Sequence, residues 1–305
     1  MNLSHETSVL ITGASGALGW VLARRLAAVC SVTGTYFSHE RVPAGVTPLY
    51  MDLGDPIGIA RALEAEAPQV VVHAAAMTDP DGCERDPATA LAVNQRGSAV
   101  VAEVACRLGS RSVYVSTDLV FDGKRGDYGE GDEACPVSLY GRTKMAAERA
   151  FLGLTVCGGV ARPAVIRSSL IYGWGSPESG TFFSGLHASL KRGASMRLFT
   201  DQMRNPILED DLAEAVVLAI EHDLEGIYHA GGPEALSRLE FGRVVCEVFG
   251  FDRRLLQPIS MGDFEYIAAR PLDSTLNISK LADASGFRPR PIREGLVYLA
   301  ASLPD

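Results

Sequence analysis

Tyr140 and Lys144 stand four residues apart in Ser138-Leu139-Tyr140-Gly141-Arg142-Thr143-Lys144, a spacing that places both side chains on one face of a helix. A phenol with a reference pKa of ~10 is a poor acid at neutral pH, but a neighbouring ammonium favours its ionised form. Such a pair can deliver a proton to a substrate oxygen. Taken alone, the same spacing also describes a surface tyrosine beside a solvated lysine. Upstream, Ser116-Thr117-Asp118 closes an apolar run with two hydroxyls and a carboxylate. That is the carboxyl edge of a strand, where open α/β sheets bind ligands.

A third feature binds rather than reacts. Thr12-Gly13-Ala14-Ser15-Gly16-Ala17-Leu18-Gly19 spaces three glycines between a strand-like run and a helical one. Gly13 and Gly16 let the chain turn tightly and approach a pyrophosphate, and Gly19 lets the helix pack on the strand. Ser15, Ala17 and Leu18 sit where the helix start offers free N–H donors. A glycine turn that only packs is the plain alternative. Its position between strand and helix favours a nicotinamide dinucleotide, with Ser116, Tyr140 and Lys144 at the reacting end.

The second strand closes on Tyr36-Phe37-Ser38-His39-Glu40-Arg41, with no acid at its tip to accept from a ribose 2′-hydroxyl. Ser38 and Arg41 could hold a 2′-phosphate instead, so NADP(H) is the preferred cofactor and NAD(H) the alternative. Asp52-Leu53 is placed to meet the adenine edge, or Asp52 caps the helix that begins at Pro56. Ala74, Ala75 and Ala76 follow the fourth strand with side chains small enough for backbone to lie against a ligand.

These groups need a scaffold, and the chain alternates short β-branched runs with helical patterns. SVLIT, SVTGTY, VTPLYMDL, VVVHAAA and SVYVST are separated by helices expected over 17–28, 56–65 and 87–108. Asp55 and Asp86 each precede a proline suited to a first helical turn. Further on, a helix is expected from Tyr140 to about Leu152, a strand over 164–172, and helices over 180–191, 209–222 and 237–249, with a last one from Pro291. The fold class is α/β, a Rossmann-type doubly wound parallel sheet with a smaller mixed C-terminal lobe. Residues 1–168 plus about 207–228 are expected to form the dinucleotide-binding domain, and about 169–206 and 229–305 the substrate lobe.

Composition narrows the partners. The formal net charge is −9 and no basic run is present, which speaks against nucleic acid. No apolar stretch reaches the ~20 residues a membrane span needs, and the first residues lack the pattern of a signal peptide, so a cytoplasmic protein is expected. Cys30, Cys83, Cys106, Cys135, Cys157 and Cys246 form no CxxC and read as reduced thiols. Glu130, Asp132, Asp79 and Asp81 read as solvated loop carboxylates rather than a metal site, and none of the histidines is assigned a catalytic role. Arg167, Arg204 and Arg270 are the candidates for an anionic ligand, because a guanidinium offers paired donors to phosphate.

The block Ser116-Thr117-Asp118-Leu119-Val120-Phe121-Asp122-Gly123, followed by Tyr128-Gly129-Glu130-Gly131-Asp132 and by Pro136 to Lys144 with Glu148, resembles the extended short-chain dehydrogenase/reductase family. Within it the likeness is to the dTDP-4-dehydrorhamnose reductase group, and it extends to Met77-Thr78-Asp79, Asn94, Asp201-Gln202, Asp210-Asp211-Leu212-Ala213 and Arg270-Pro271. The resemblance implies that Thr117 bonds a sugar carbonyl, Tyr140 donates the proton, and Lys144 holds the nicotinamide ribose. It also implies a nucleotide-sugar substrate met by Thr78, Asp118, Val120, Phe121, Leu170, Arg204 and Arg270, and it makes a homodimer plausible. Ser168-Ser169-Leu170-Ile171-Tyr172 departs from the group's Thr-Ser-Trp-Val-Tyr, and Asn205-Pro206 from its Pro-Thr. Two other readings share the motifs: a dinucleotide-binding regulatory subunit, like that of methionine adenosyltransferase, and a nucleotide-sugar epimerase or dehydratase.

Overall fold

The computed structural model describes residues 1–154 and 163–302; Cys157 lies outside them. In chain order, the first part holds β1 (Ser8–Thr12), α1 (Ala17–Ala27), β2 (Ser31–Tyr36), β3 (Val46–Tyr50), α2 (Pro56–Glu66) and β4 (Val70–His73). Next come α3 (Pro80–Arg85), α4 (Pro87–Ala90), a π-helical turn Leu91–Gly97, α5 (Ser98–Leu108), β5 (Arg111–Thr117) and α6 (Leu139–Gly153). Then follow β6 (Ala164–Ser168), β7 (Ile171–Tyr172), α7 (Phe182–Lys191), β8 (Met196–Phe199), β9 (Met203–Arg204), β10 (Ile207–Leu208) and α8 (Glu209–Glu221). The chain ends with β11 (Gly226–Ala230), β12 (Leu236–Ser237), α9 (Arg238–Phe249), β13 (Leu256–Ile259), α10 (Ser279–Ser285) and α11 (Ile292–Ala301).

The seven-stranded sheet has the order β11-β6-β5-β4-β1-β2-β3 with parallel pairing throughout. The order reverses between β1 and β4, which opens a crevice beyond their carboxyl ends. On one face α1 and α8 bury Leu18, Val21, Leu22, Leu212, Val216 and Ile220 against the strands. On the other, α2, α5 and α6 bury Ile59, Leu63, Val101, Val104, Ala147 and Phe151. Strands covered on both faces explain the continuous apolar runs VVVH and RSVYVST, whose residues are all buried. A third core, with Tyr172, Phe183, Leu198, Phe241 and Leu296, belongs to the C-terminal lobe. No helix among the described residues is long and apolar enough to cross a membrane.

Several expectations need correcting in their local detail. The 87–108 helix is a helical run interrupted by the π turn, in which the buried Asn94 accepts from the Met77 N–H at 2.8 Å and donates to Met77 O and to the Thr143 hydroxyl. Wider turns of this kind re-aim a side chain, and here the result braces the β4 loop against α6. The 164–172 strand divides at Ser169-Leu170, because β7 leaves the sheet to pair with β10. Helix α3 is too short to show a period in sequence; it is set by Asp79, which accepts from the N–H groups of Asp81 and Gly82. The short strands β8, β9, β12 and β13 exist only through distant pairing.

Gly97 packs so closely on the Leu53 carbonyl that a Cβ would collide with backbone. Gly97→Ala is expected to cost about 1–3 kcal/mol, read as a melting temperature several degrees lower. An unchanged melting temperature would show that the π turn can shift away.

Candidate active site

Between the carboxyl edge of the sheet and the C-terminal lobe lies a cavity of about 1800 Å³. Single-ligand pockets run roughly 300–1,000 Å³, so there is room for two ligands side by side. The sheet side presents Gly13, Ser15, Gly16, Ala17, Leu18, Gly19, Ser38, Leu53, Ala74, Ala75, Ala76, Ser116, Thr117 and Asp118. Tyr140 and Lys144 reach it from α6, Thr78 from the β4 loop, and Leu170, Arg204 and Arg270 from the lobe.

The glycine turn is dictated by close backbone approach. Gly13 has φ +73°, and a Cβ there would lie 2.9 Å from Ala75 Cα; a Cβ on Gly19 would collide with the Gly13 carbonyl. Beneath the turn, Thr12 Oγ1 accepts from the N–H groups of Ala74 and Ala75, both at 3.1 Å, and contacts His73 Nδ1 at 2.7 Å. With its oxygen already accepting twice, Thr12 donates its proton to Nδ1, which assigns the other ring N–H to the Ser98 hydroxyl at 2.8 Å. Burial holds this histidine neutral, its pKa pushed down to about 3. Helix α1 begins at Gly16 with no side chain capping its N–H groups. Open donors and a surface that any Cβ would fill fit the pyrophosphate of a dinucleotide.

Helix α6 starts at Ser138, whose hydroxyl accepts from the Gly141 N–H at 3.2 Å, and Glu84 anchors the Leu139 N–H at 2.8 Å. Tyr140 and Lys144 are both buried. The Lys144 ammonium donates to Val115 O at 2.7 Å and lies 4.2 Å from the centre of the Tyr114 ring. Burial pushes its pKa down to about 7, opposed by Glu148 one turn along. Glu148 is itself buried, accepting from Ser116 and, through two bonds of 3.0 and 2.8 Å, from Arg167. The expected lowering of the phenol pKa is not what the protein does by itself. Burial first, then the charge of Asp118, hold Tyr140 above the ordinary tyrosine value, with the Thr117 hydroxyl pulling the other way. The phenol is therefore protonated at neutral pH.

Some expected site residues lie elsewhere. Val120 and Phe121 are fully buried and do not line the cavity, because the 3₁₀ turn at Asp118–Val120 carries them inward, where Phe121 stacks on Tyr128 at 4.2 Å between ring centres. Arg41 is turned away to pair with Glu178 at 3.1 Å. Asp52 accepts from the Gly54 N–H within its own turn, and the α2 cap is Asp55 instead. Arg167 is spent on Glu148, beneath the cavity floor. Arg204 reaches the cavity, but its donors go to Asp118 at 3.2 Å and to the carbonyls of Met203, Leu272 and Pro271. Arg270 pairs with Asp81 at 3.0 Å. Of the other loop carboxylates, Glu130 accepts from the His229 N–H, Asp132 pairs with Arg125, and Asp79 caps α3. Gln202, already marked by the Asp201-Gln202 likeness, also lines the cavity, whereas Arg238, Phe182 and Tyr266 had no sequence signal, since Arg238 reads only as the start of a capped helix.

A model of the RmlD substrate binding domain matches residues 7–303. A probable low-salt glycan biosynthesis reductase of Haloferax volcanii is 32% identical over 97% of this chain and 98% of its own. A dTDP-4-dehydrorhamnose reductase of Mycobacterium tuberculosis is 32% identical over 97% of this chain and 92% of its own. Among solved structures, a hypothetical dTDP-4-dehydrorhamnose reductase from Sulfolobus tokodaii superposes with a TM-score of 0.82 at 30% identity, covering 95% of this chain and 99% of that one.

Burying Lys144 makes a pH signature. Its pKa is about 7 in the fold against 10.5 in a free chain, so between these values the unfolded state holds more protons and wild-type stability rises with pH. Lys144→Met removes that penalty and is expected to melt about 2–5 °C higher at pH 7, with the gap shrinking toward pH 10. A lower melting temperature at pH 7 would mean that the bond to Val115 and the Tyr114 contact outweigh desolvation.

Proposed function

The chain belongs to the RmlD substrate binding domain family, and from that premise we propose that it is an NAD(P)H-dependent reductase of a nucleotide-activated 4-keto-6-deoxy sugar. The observation that carries this reading is one cavity that joins a glycine turn shaped for a dinucleotide to Thr117, Tyr140 and Lys144. The glycine turn and the start of α1 would hold the pyrophosphate, Leu53 and Ala74–Ala76 would flank the adenosine half, and Lys144 would hold the nicotinamide ribose. NADP(H) is preferred, with NAD(H) as an alternative, since Ser38 rather than an acid lines the cavity beside β2. When bound, the nicotinamide supplies the hydride equivalent for reduction of the sugar carbonyl.

The chain's own residues do the rest. Thr117 offers a hydroxyl at the end of β5 to fix the carbonyl oxygen, and Tyr140 delivers a proton to that oxygen as it becomes an alkoxide. Lys144, close to half charged near neutral pH, stabilises the phenolate left behind. Asp118, next to Thr117, raises the phenol's pKa and keeps the proton in place until it is needed. Leu170 gives the sugar an apolar wall on the side of the lobe, and Thr78 faces it from the β4 loop.

Tyr140→Phe tests the assignment. With NADPH and a dTDP-4-keto-6-deoxyhexose, turnover is expected to fall by about 10²–10⁴-fold, while NADPH affinity measured by calorimetry stays close to wild type. Turnover equal to wild type would remove Tyr140 as the proton donor.

A further inference from the structure

The loop after β7 is a closed hairpin rather than a slack connection. Ser176 and Ser179 exchange backbone hydrogen bonds at 2.8 and 3.2 Å, which leaves Pro177 and Glu178 as a two-residue tip. Gly175 has φ +80°, and a Cβ there would lie 2.2 Å from the Ser179 carbonyl oxygen, so glycine is what lets the two arms meet. The lobe holds the base. Trp174 lies 5.0 Å from Phe183 between ring centres and donates to Leu299 O at 3.2 Å, and the Thr181 hydroxyl donates to Gly173 O at 2.5 Å.

From that base the hairpin reaches across to the sheet domain. The Ser176 hydroxyl donates to the Ser15 carbonyl at 2.6 Å, in the middle of the glycine turn. The Gly175 N–H donates to the carboxyl of Glu209, the first residue of α8, at 3.1 and 3.3 Å. At the tip Glu178 pairs with Arg41 beyond β2, an exposed contact of little strength. The returning arm, Ser179, Gly180 and Thr181, lines the cavity together with Gly13, Ser15 and Gly16 of the turn, whereas Ser176 itself lies outside the lining. The chain therefore spans the edge of the turn and is fastened there by a bond internal to the protein.

We propose that residues 173–181 are a clasp over the glycine turn, latched by Ser176 on Ser15, which opens to admit and release the dinucleotide. The clasp rests on the reading that the glycine turn holds a dinucleotide and is independent of which sugar is reduced. Segments of this kind set how fast a ligand exchanges. Loss of the latch weakens the closed form to the same extent with and without cofactor, because the bond is made between protein groups. The open form then gains population in both states, so entry and exit both quicken while the dissociation constant holds. A residue that only supported the turn would raise the exit rate alone and weaken binding.

Stopped-flow fluorescence of the full chain with NADPH tests the clasp, using wild type, Ser176→Ala and Ser176→Thr. In Ser176→Ala the association and dissociation rate constants are both expected to rise about 3- to 10-fold, the effect of one hydrogen bond, with Kd within about 2-fold of wild type. Ser176→Thr restores the hydroxyl and is expected to return both rates toward wild type; rates equal to those of Ser176→Ala would assign the effect to packing and overturn the latch. An association rate unchanged in Ser176→Ala, with or without faster dissociation, would overturn the clasp and leave the dinucleotide reading in place. Should Ser176→Ala fold poorly, Glu178→Gln on the exposed tip takes its place: dissociation is expected to quicken by a smaller factor, and dissociation no faster than wild type would overturn the clasp. Wild type that binds neither NADPH nor NADH would remove the dinucleotide reading itself, and the clasp with it.

Discussion

The buried ion pair between Arg204 and Asp118 joins the parts of the site that the chain itself keeps far apart. Asp118 follows the strand that carries Thr117, Arg204 belongs to the lobe, and the guanidinium reaches on to the carbonyls of Pro271 and Leu272. Ser274 completes the arrangement by donating to Asp118 at 2.7 Å. Both charged side chains are almost wholly shielded from water, so removing one would strand the other, a loss of about 3–5 kcal/mol in comparable pairs. The pair sets where the lobe stands relative to the sheet edge, and its carboxylate also keeps the nearby phenol protonated.

A second crossing ties the lobe to the dinucleotide side. In the loop after β7, Ser176 donates to Ser15 O at 2.6 Å and Glu178 pairs with Arg41. The lobe thus touches the glycine turn as well as the reacting end. Arg41 is exposed, and its pairing with Glu178 is of the weak, screened kind, whereas the Ser176 contact is short and partly buried. The two crossings bracket the cavity at both ends.

Within the sheet domain, polar groups are buried where they position backbone or charge. The Ser98–His73–Thr12 chain sets Ala74 and Ala75 against Gly13, and Glu148 with Arg167 and Ser116 lies behind Lys144. Such networks are stabilising to the extent that their members are paired; the His73 ring has a partner at both nitrogens, and Glu148 accepts from Ser116 and twice from Arg167.

The sequence alone determined the architecture and singled out the candidate reacting groups, because both depend on local patterns. Continuous apolar runs imply a sheet covered on both faces, glycines between a strand and a helix imply close backbone approach, and the four-residue spacing of Tyr140 and Lys144 survives any tertiary arrangement of their helix. The tertiary structure decided what each cation meets. Arg167, Arg204 and Arg238 are indistinguishable as letters, yet the first two meet the carboxylates of Glu148 and Asp118, and the third donates to the Gln202 amide instead. Val120 and Phe121 stand next to functional residues in the chain but are turned inward by a single 3₁₀ turn. The Tyr140 proton likewise follows from burial and from Asp118 rather than from its nearest basic neighbour in sequence. Charge pairing and desolvation are properties of spatial neighbours, and only the folded chain says which residues those are.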